Sequence, residues 1–167
     1  TAMYLYFKLF KKRSNILFPS ITCVQAVNSA IFAGHKVLFS DVSIKDYNIN
    51  FQDFLKIEKM NKLDIVVPTH IFGHITNIKE ITSYCKKKKI NVLEDATQAM
   101  GGTFKHQKVG SFGDASVISF GYSKILDCGG GGGILTDDEN IYKEIKLMLN
   151  KLPFKTKKNI TKFNEYK

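Results

Sequence analysis

Apolar and polar positions along this chain follow two rhythms. Short runs rich in β-branched and aromatic residues, bounded by polar or turn-forming positions, predict strands over residues 15–18, 36–40, 64–68, 91–94, 115–120 and 132–136. Longer stretches between and around them predict helices over 2–11, 22–33, 51–58, 78–88 and 138–149. Local signals mark several boundaries. Gly34 stands where a helix C-terminus needs a left-handed residue. Asn50 precedes the third helix as an N-cap. Asn77 followed by Glu80 has the spacing of a capping box, with Asn in place of Ser or Thr. Alternation of this kind predicts an α/β layer structure with a mostly parallel sheet.

In such sheets ligands sit beyond the carboxyl ends of the strands. Asp95 immediately follows the run 91–94, Ser123 and Lys124 follow 115–120, and Thr69 and His70 follow 64–68. Polar residues therefore gather at one edge of the predicted sheet. Alone, Lys124 reads as a solvated surface charge. Ser119 five residues before it, Asp95 at another strand end and the five-glycine run 129–133 change that reading. An amine, a carboxylate, hydroxyls and close backbone are the parts needed to hold pyridoxal phosphate: an imine-forming nitrogen, a partner for the ring nitrogen, and donors for the phosphate. Other readings stay open at this point. Asp95 could be a helix N-cap, Gln98 a loop amide and Ser119 a core hydroxyl. His70 could be a packed, hydrogen-bonded histidine, and Met100 is most simply core.

Length and composition narrow the class. The 167 residues suit one domain, and 44% apolar content allows a sizeable core. No apolar run reaches the ~20 residues that span a bilayer, and no membrane partner is expected. Cys23, Cys85 and Cys128 are odd in number and widely spaced, with no CxxC pair. Neither a zinc site nor a disulfide framework is indicated, and a reducing, cytoplasmic setting is expected. The net charge of +10 raises nucleic acid as a partner, but Arg13 is the single arginine, whereas base reading and phosphate forks favour arginine. The lysines look like compositional drift, with the run 86–89 read as a solvated helix end, and nucleic acid is not expected. No G-x-G-x-x-G follows a strand and no Walker-type GK[ST] occurs.

Four segments, FPSITCVQAVNSAIFAGHKVLFSDV, DIVVPTHIFGH, VLEDATQAMGGTFKHQKVGSFGDASVISFGYSK and GGGILTDDE, run in order over nearly all of residues 1–150. On these segments the chain resembles the DegT/DnrJ/EryC1/StrS family of pyridoxal-phosphate-dependent aminotransferases. The resemblance implies the aspartate-aminotransferase type of fold (fold type I), a three-layer α/β/α domain. It implies residues 1–150 as the cofactor-binding large domain and 151–167 as the start of a connection to a further, C-terminal domain. Residue by residue, Lys124 matches the Schiff-base lysine and Asp95 the carboxylate beside the pyridine nitrogen. Gln98 matches the glutamine near the ring hydroxyl, Ser119 a phosphate-binding serine, and Thr1 and Ala2 the residues after the glycine of a phosphate-cradling turn. His70 matches a histidine common in the family.

The implied reaction moves an amino group, from glutamate, to a nucleotide-linked keto sugar. Enzymes of this fold type build each site from two subunits, so a homodimer is expected of an intact relative. Some relatives carry histidine in place of the lysine and dehydrate instead; Lys124 argues for amino transfer. Three departures from the family pattern stand out. Cys23 replaces an aromatic residue that stacks on the cofactor, Gly130 replaces the glutamate of a GEGG motif, and Ile125 replaces a frequent asparagine. The competing expectations are another fold type I enzyme, such as an amino acid aminotransferase or a sugar dehydratase, and an inactive interaction module that binds anions through its lysines. The isolated chain is expected to turn over weakly or not at all.

Overall fold

The computed structural model describes residues 1–152, so the predicted connection at 151–167 lies outside the described residues from 153 onward. Its larger sheet has six strands: β1 (Asn15–Pro19), β2 (Lys36–Ser40), β3 (Ile65–Val66), β4 (Asn91–Asp95), β7 (Ala115–Ser119) and β8 (Gly132–Leu135). The order is β2-β1-β3-β4-β7-β8. All pairs are parallel except β7–β8, which is antiparallel.

The period of two along each strand sorts side chains to two faces. Ile16, Phe18, Ile65, Val67 and Leu93 point to one face, where they pack with Tyr6 and Phe7 of α1 (Ala2–Phe7) and Ala26 and Ala30 of α2 (Val24–Phe32). Ile141 and Ile145 of α5 (Glu139–Asn150) pack against the same cluster. Leu17, Val66 and Val92 point to the other face, against Phe54 of α3 (Phe51–Met60) and Ile81 and Cys85 of α4 (Ile78–Lys88). Helices on both faces of a mostly parallel sheet make the three-layer α/β/α architecture.

Several expected boundaries shift, each for a local reason. The first helix ends at Phe7 rather than near residue 11: the chain tightens there, with the Phe7 carbonyl accepting from Phe10 N–H at 3.1 Å and from His35 Nε2 at 2.9 Å. β3 has only two ladder residues although 64–68 was expected, because Pro68 has no N–H to donate. Asp95 is the last residue of β4 rather than the residue after it. A hairpin of β5 (Thr103–Phe104) and β6 (Gln107–Lys108) carries no prediction. Its turn residues Lys105 and His106 both have positive φ, so the turn lacks the Asn-Gly signature that would reveal it. Asn77 and Glu80 bond side chain to side chain at 2.6 Å, and no capping box forms. Met100 is half-buried in the turn after β4 rather than in the core.

Other signals act as the sequence indicates. Gly34, at φ +99, closes α2 in a Schellman motif: Gly34 N bonds Ile31 O and His35 N bonds Ala30 O. Asn50 Oδ1 accepts from the N–H groups of Gln52 and Asp53, at 3.0 and 3.1 Å. Asn50→Ala frees both donors and should lower stability by about 1 kcal/mol, read as a shift of the urea midpoint at unchanged m value.

Candidate active site

At the end of β4 the alternation sends two adjacent carboxylates to opposite faces. Glu94 follows Val92 to the α3–α4 face and is fully buried. Its Oε1 accepts from His70 Nε2 at 2.8 Å and from Gly110 N at 2.7 Å. Its Oε2 accepts from Phe112 N at 2.9 Å and Gly113 N at 3.3 Å. His70 Nδ1 accepts from Thr76 N–H at 3.2 Å, so the hydrogen of the neutral ring sits on Nε2 and points at Glu94. Burial alone would push the Glu94 carboxyl up, but the hydrogen bonds from His70, Gly110 and Phe112 outweigh it and hold it below the ordinary value. His70 is thus a packed, hydrogen-bonded histidine.

Asp95 follows Leu93 to the α1–α2–α5 face, where it is 2% exposed. Oδ1 accepts from Thr97 N at 3.1 Å. Burial pushes its carboxyl above the ordinary value; bonds from Thr97 and the charge of Lys124 oppose this without reversing it. Its backbone is clamped to the exit of β3, with Asp95 N donating to Pro68 O and Asp95 O accepting from His70 N.

Lys124 is carried on a loop between β7 and β8. Phe120 N bonds Gly131 O, and the N–H groups of Cys128 and Gly130 both bond Phe120 O, which closes the neck of that loop. Lys124 N bonds Gly121 O at 3.1 Å in a tight turn. Ser123, just before it, has φ +61, a left-handed conformation that costs a non-glycine residue about 1 kcal/mol. Ser119 ends β7, and its Oγ accepts from Gly121 N at 3.3 Å. Gly132 pairs with Ser119 so closely that a Cβ there would lie 2.6 Å from Ile118 O, so no side chain fits.

These elements enclose one cavity of about 880 Å³, within the usual range for small-molecule sites. Asp95, Lys124, Ser119, Thr1 and Ala2 all line it, together with Cys23. Gln98 does not line it. It borders a smaller recess that it shares with Lys124, and its Oε1 accepts from Phe72 N at 2.9 Å. The cavity therefore holds an amine and a buried carboxylate among apolar walls that include Val117 and Ile134.

The sequence profile of the DegT/DnrJ/EryC1/StrS aminotransferase family matches residues 2–163. The chain belongs to this family. Among curated members, it is similar to a GDP-perosamine synthase of Caulobacter vibrioides, 29% identical over 135 residues, which are 80% of this chain and 36% of that protein. It is also similar to the spore coat polysaccharide biosynthesis protein SpsC of Bacillus subtilis, 31% identical over 135 residues, 80% of this chain and 34% of that one. The chain thus spans about a third of the length of these curated relatives. Among solved structures, Helicobacter pylori PseC, an aminotransferase involved in pseudoaminic acid biosynthesis, superposes with a TM-score of 0.80 at 26% identity over 92% of this chain and 42% of its own. A putative PLP-dependent aminotransferase from Bacillus cereus superposes at 0.78 and 30% identity, over 89% of this chain and 41% of its own. The family fold and the six-stranded, mostly parallel sheet agree.

The sequence reading missed Glu94. The signal was present: a carboxylate beside Asp95 on a strand must face the other way, into a layer that the apolar pattern already marks as buried. The two carboxylates have opposite pH signatures. Glu94, held low, contributes stability above the ordinary glutamate range, and this is lost as pH falls through its lowered value. Asp95, held high, binds its proton more tightly in the folded state, so its contribution to stability falls as pH rises up to its raised value. Without cofactor, Glu94→Gln should lose about 3–5 kcal/mol at neutral pH and flatten the acid limb. Asp95→Asn should instead raise the neutral-pH urea midpoint. Urea titrations across pH check both.

Proposed function

We propose that this protein is a pyridoxal-phosphate-dependent aminotransferase that moves an amino group, from glutamate, to a nucleotide-linked keto sugar in the cytoplasm. In this reading, residues 1–150 form the cofactor-binding large domain, residues 151–167 lead toward a second domain, and the working unit is a homodimer. The observation that carries the reading is that Asp95 and Lys124 share one cavity. The relatives agree in kind: they include synthases and transaminases named for GDP- and UDP-linked amino sugars, and one related solved structure has pyridoxamine phosphate bound.

The residues fit the cofactor. Asp95 is a desolvated carboxyl whose ionised form lacks enough compensation, and a protonated ring nitrogen would supply it. Ser119 and the backbone at Thr1 and Ala2 offer donors for a phosphate, and Gln98 borders the lysine from the side recess. Pyridoxal phosphate, when bound, supplies an electron-accepting ring on which carbon–hydrogen bonds next to nitrogen weaken. Lys124 Nζ would hold the cofactor through its amine and would serve as the base that takes a proton from the donor carbon and the acid that returns it. Asp95 would keep the ring nitrogen protonated. The apolar walls at Val117 and Ile134 limit water near these groups. Cys23 lines the cavity and would offer a flat ring less stacking area than an aromatic residue would.

The test is spectroscopic. Pyridoxal phosphate added to the chain should give a visible absorption band distinct from that of the free aldehyde, and borohydride should fix the cofactor to the peptide bearing Lys124. Lys124→Ala should lose both. Asp95→Asn should weaken cofactor binding by at least tenfold, on the scale of one lost charged hydrogen bond, about 1.5–3 kcal/mol. Labelling that persists in Lys124→Ala would overturn the assignment. Product analysis with keto sugars and keto acids as acceptors separates the sugar reading from an amino acid aminotransferase, and loss of a hydroxyl without gain of nitrogen would mark a dehydratase.

A further inference from the structure

The cavity lies at the carboxyl edge of the sheet, and the amino edge carries a different chemistry. There the chain segments leading into the parallel strands lie side by side: Lys36 N bonds Ser14 O, Asp64 N bonds Asn15 O, and Asn91 N bonds Asp64 O. Lys11, Lys12 and Arg13 precede β1, and Lys36 opens β2. Lys59 and Lys62 precede β3, and the lysines at 86–89 precede β4. All of these side chains are exposed. Residues that look scattered along the sequence are thus collected by topology, because every parallel strand starts at the same edge.

The acids on this half of the edge are engaged by hydrogen bonds, and of them only Asp114 is exposed. Asp64 Oδ2 accepts from Asn15 N, and Asp114 Oδ2 from Val92 N. Glu58 accepts from Tyr84 OH and lies 3.5 Å from Lys88 Nζ. Asp137, Asp138 and Glu139 come after β8, at the other end of the strand order, where Asp138 caps α5. The β2-β1-β3-β4 half is therefore basic at its outer surface. Two apolar side chains stand among the cations. Phe32, the last residue of α2, is 77% exposed, and Met60, the last of α3, is 82% exposed.

We infer that this amino edge docks on an anionic lipid bilayer, with the lysines over the headgroups and Phe32 and Met60 at the headgroup–acyl boundary. Lysines are compact point charges suited to a diffuse anionic surface, and each basic residue near such a surface adds to its attraction. Apolar side chains beside them add burial. Arg13 is the single arginine, and α2, α3 and α4 end at this edge rather than lying along it, so no helix is offered to a duplex groove. Among the described residues no helix is long and apolar enough to cross a membrane, so the contact is peripheral. Docking through this edge leaves the cavity, at the opposite edge, open to water. The inference does not depend on the proposed reaction.

The test is flotation of the chain with vesicles of phosphatidylcholine alone and of equal parts phosphatidylcholine and phosphatidylserine. Binding to the mixed vesicles only, falling with salt, is the expected result. Changing Lys86, Lys87, Lys88 and Lys89 to Gln should weaken it on the order of 100-fold or more. A charge-matched variant with Lys45, Lys79, Lys105 and Lys108 changed to Gln should weaken it far less, because those lysines lie off this edge. Phe32→Ser with Met60→Ser should weaken binding about tenfold, a loss of about 1.4 kcal/mol, and leave the salt slope unchanged. Circular dichroism checks that each variant is folded. No preference for anionic vesicles, equal loss in the two lysine variants, or tighter binding to DNA than to vesicles at the same salt would each overturn the inference.

Discussion

A carboxylate taken out of water must be given donors, and Glu94 receives four: His70 Nε2 and the backbone N–H groups of Gly110, Phe112 and Gly113. Those donors come from two chain segments that would otherwise be loosely connected, the exit of β3 and the turn leading into β7. Satisfying one buried charge therefore fixes where the exits of β3 and β4 sit relative to the entry of β7. Replacing the carboxylate leaves backbone N–H groups buried without partners, which is costly in a low-dielectric interior.

Asp95 shows the opposite economy. It lies one residue away, equally buried, yet its hydrogen bonds come from Thr97 alone. A charge supported that weakly is a local destabilisation in the cofactor-free protein. It becomes favourable only when a cation enters the cavity beside it. Strain at Ser123, next to Lys124, follows the same logic: a side chain is held where the backbone would not put it unaided. In both places local stability is given up at the cavity wall while the strand behind it is tightly bonded.

The sheet topology divides the molecule by chemistry. Parallel strands start at one edge and finish at the other, so residues at strand ends converge on the cavity and residues ahead of strands converge on the opposite rim. Polar residues at strand ends and basic residues ahead of strands thereby become two separate surfaces. The antiparallel β7–β8 pair is the exception that makes the lysine loop possible, since the chain returns beside β7 and holds Lys124 in the loop between the two strands.

The sequence by itself determined the α/β layer class, the mostly parallel sheet and the strand-end residues. Ile16, Leu17 and Phe18 form the continuous apolar run of a strand buried on both faces, Asn50 and Gly34 act through hydrogen bonds to their near neighbours, and Asp95, Ser119 and Lys124 are marked by where strands stop. These are short-range consequences of backbone period and turn chemistry. Gln98 shows the limit: the motif groups it with Asp95, but its bond to Phe72 N turns it into the side recess. Tertiary structure alone decided the pairing of Glu94 with His70 and three backbone amides, the clash that keeps Gly132 without a side chain, the Lys105–His106 turn, and the gathering of distant lysines on one rim. Each of these joins residues through packing rather than along the chain, and a linear pattern of apolar and polar positions holds no term for such contacts.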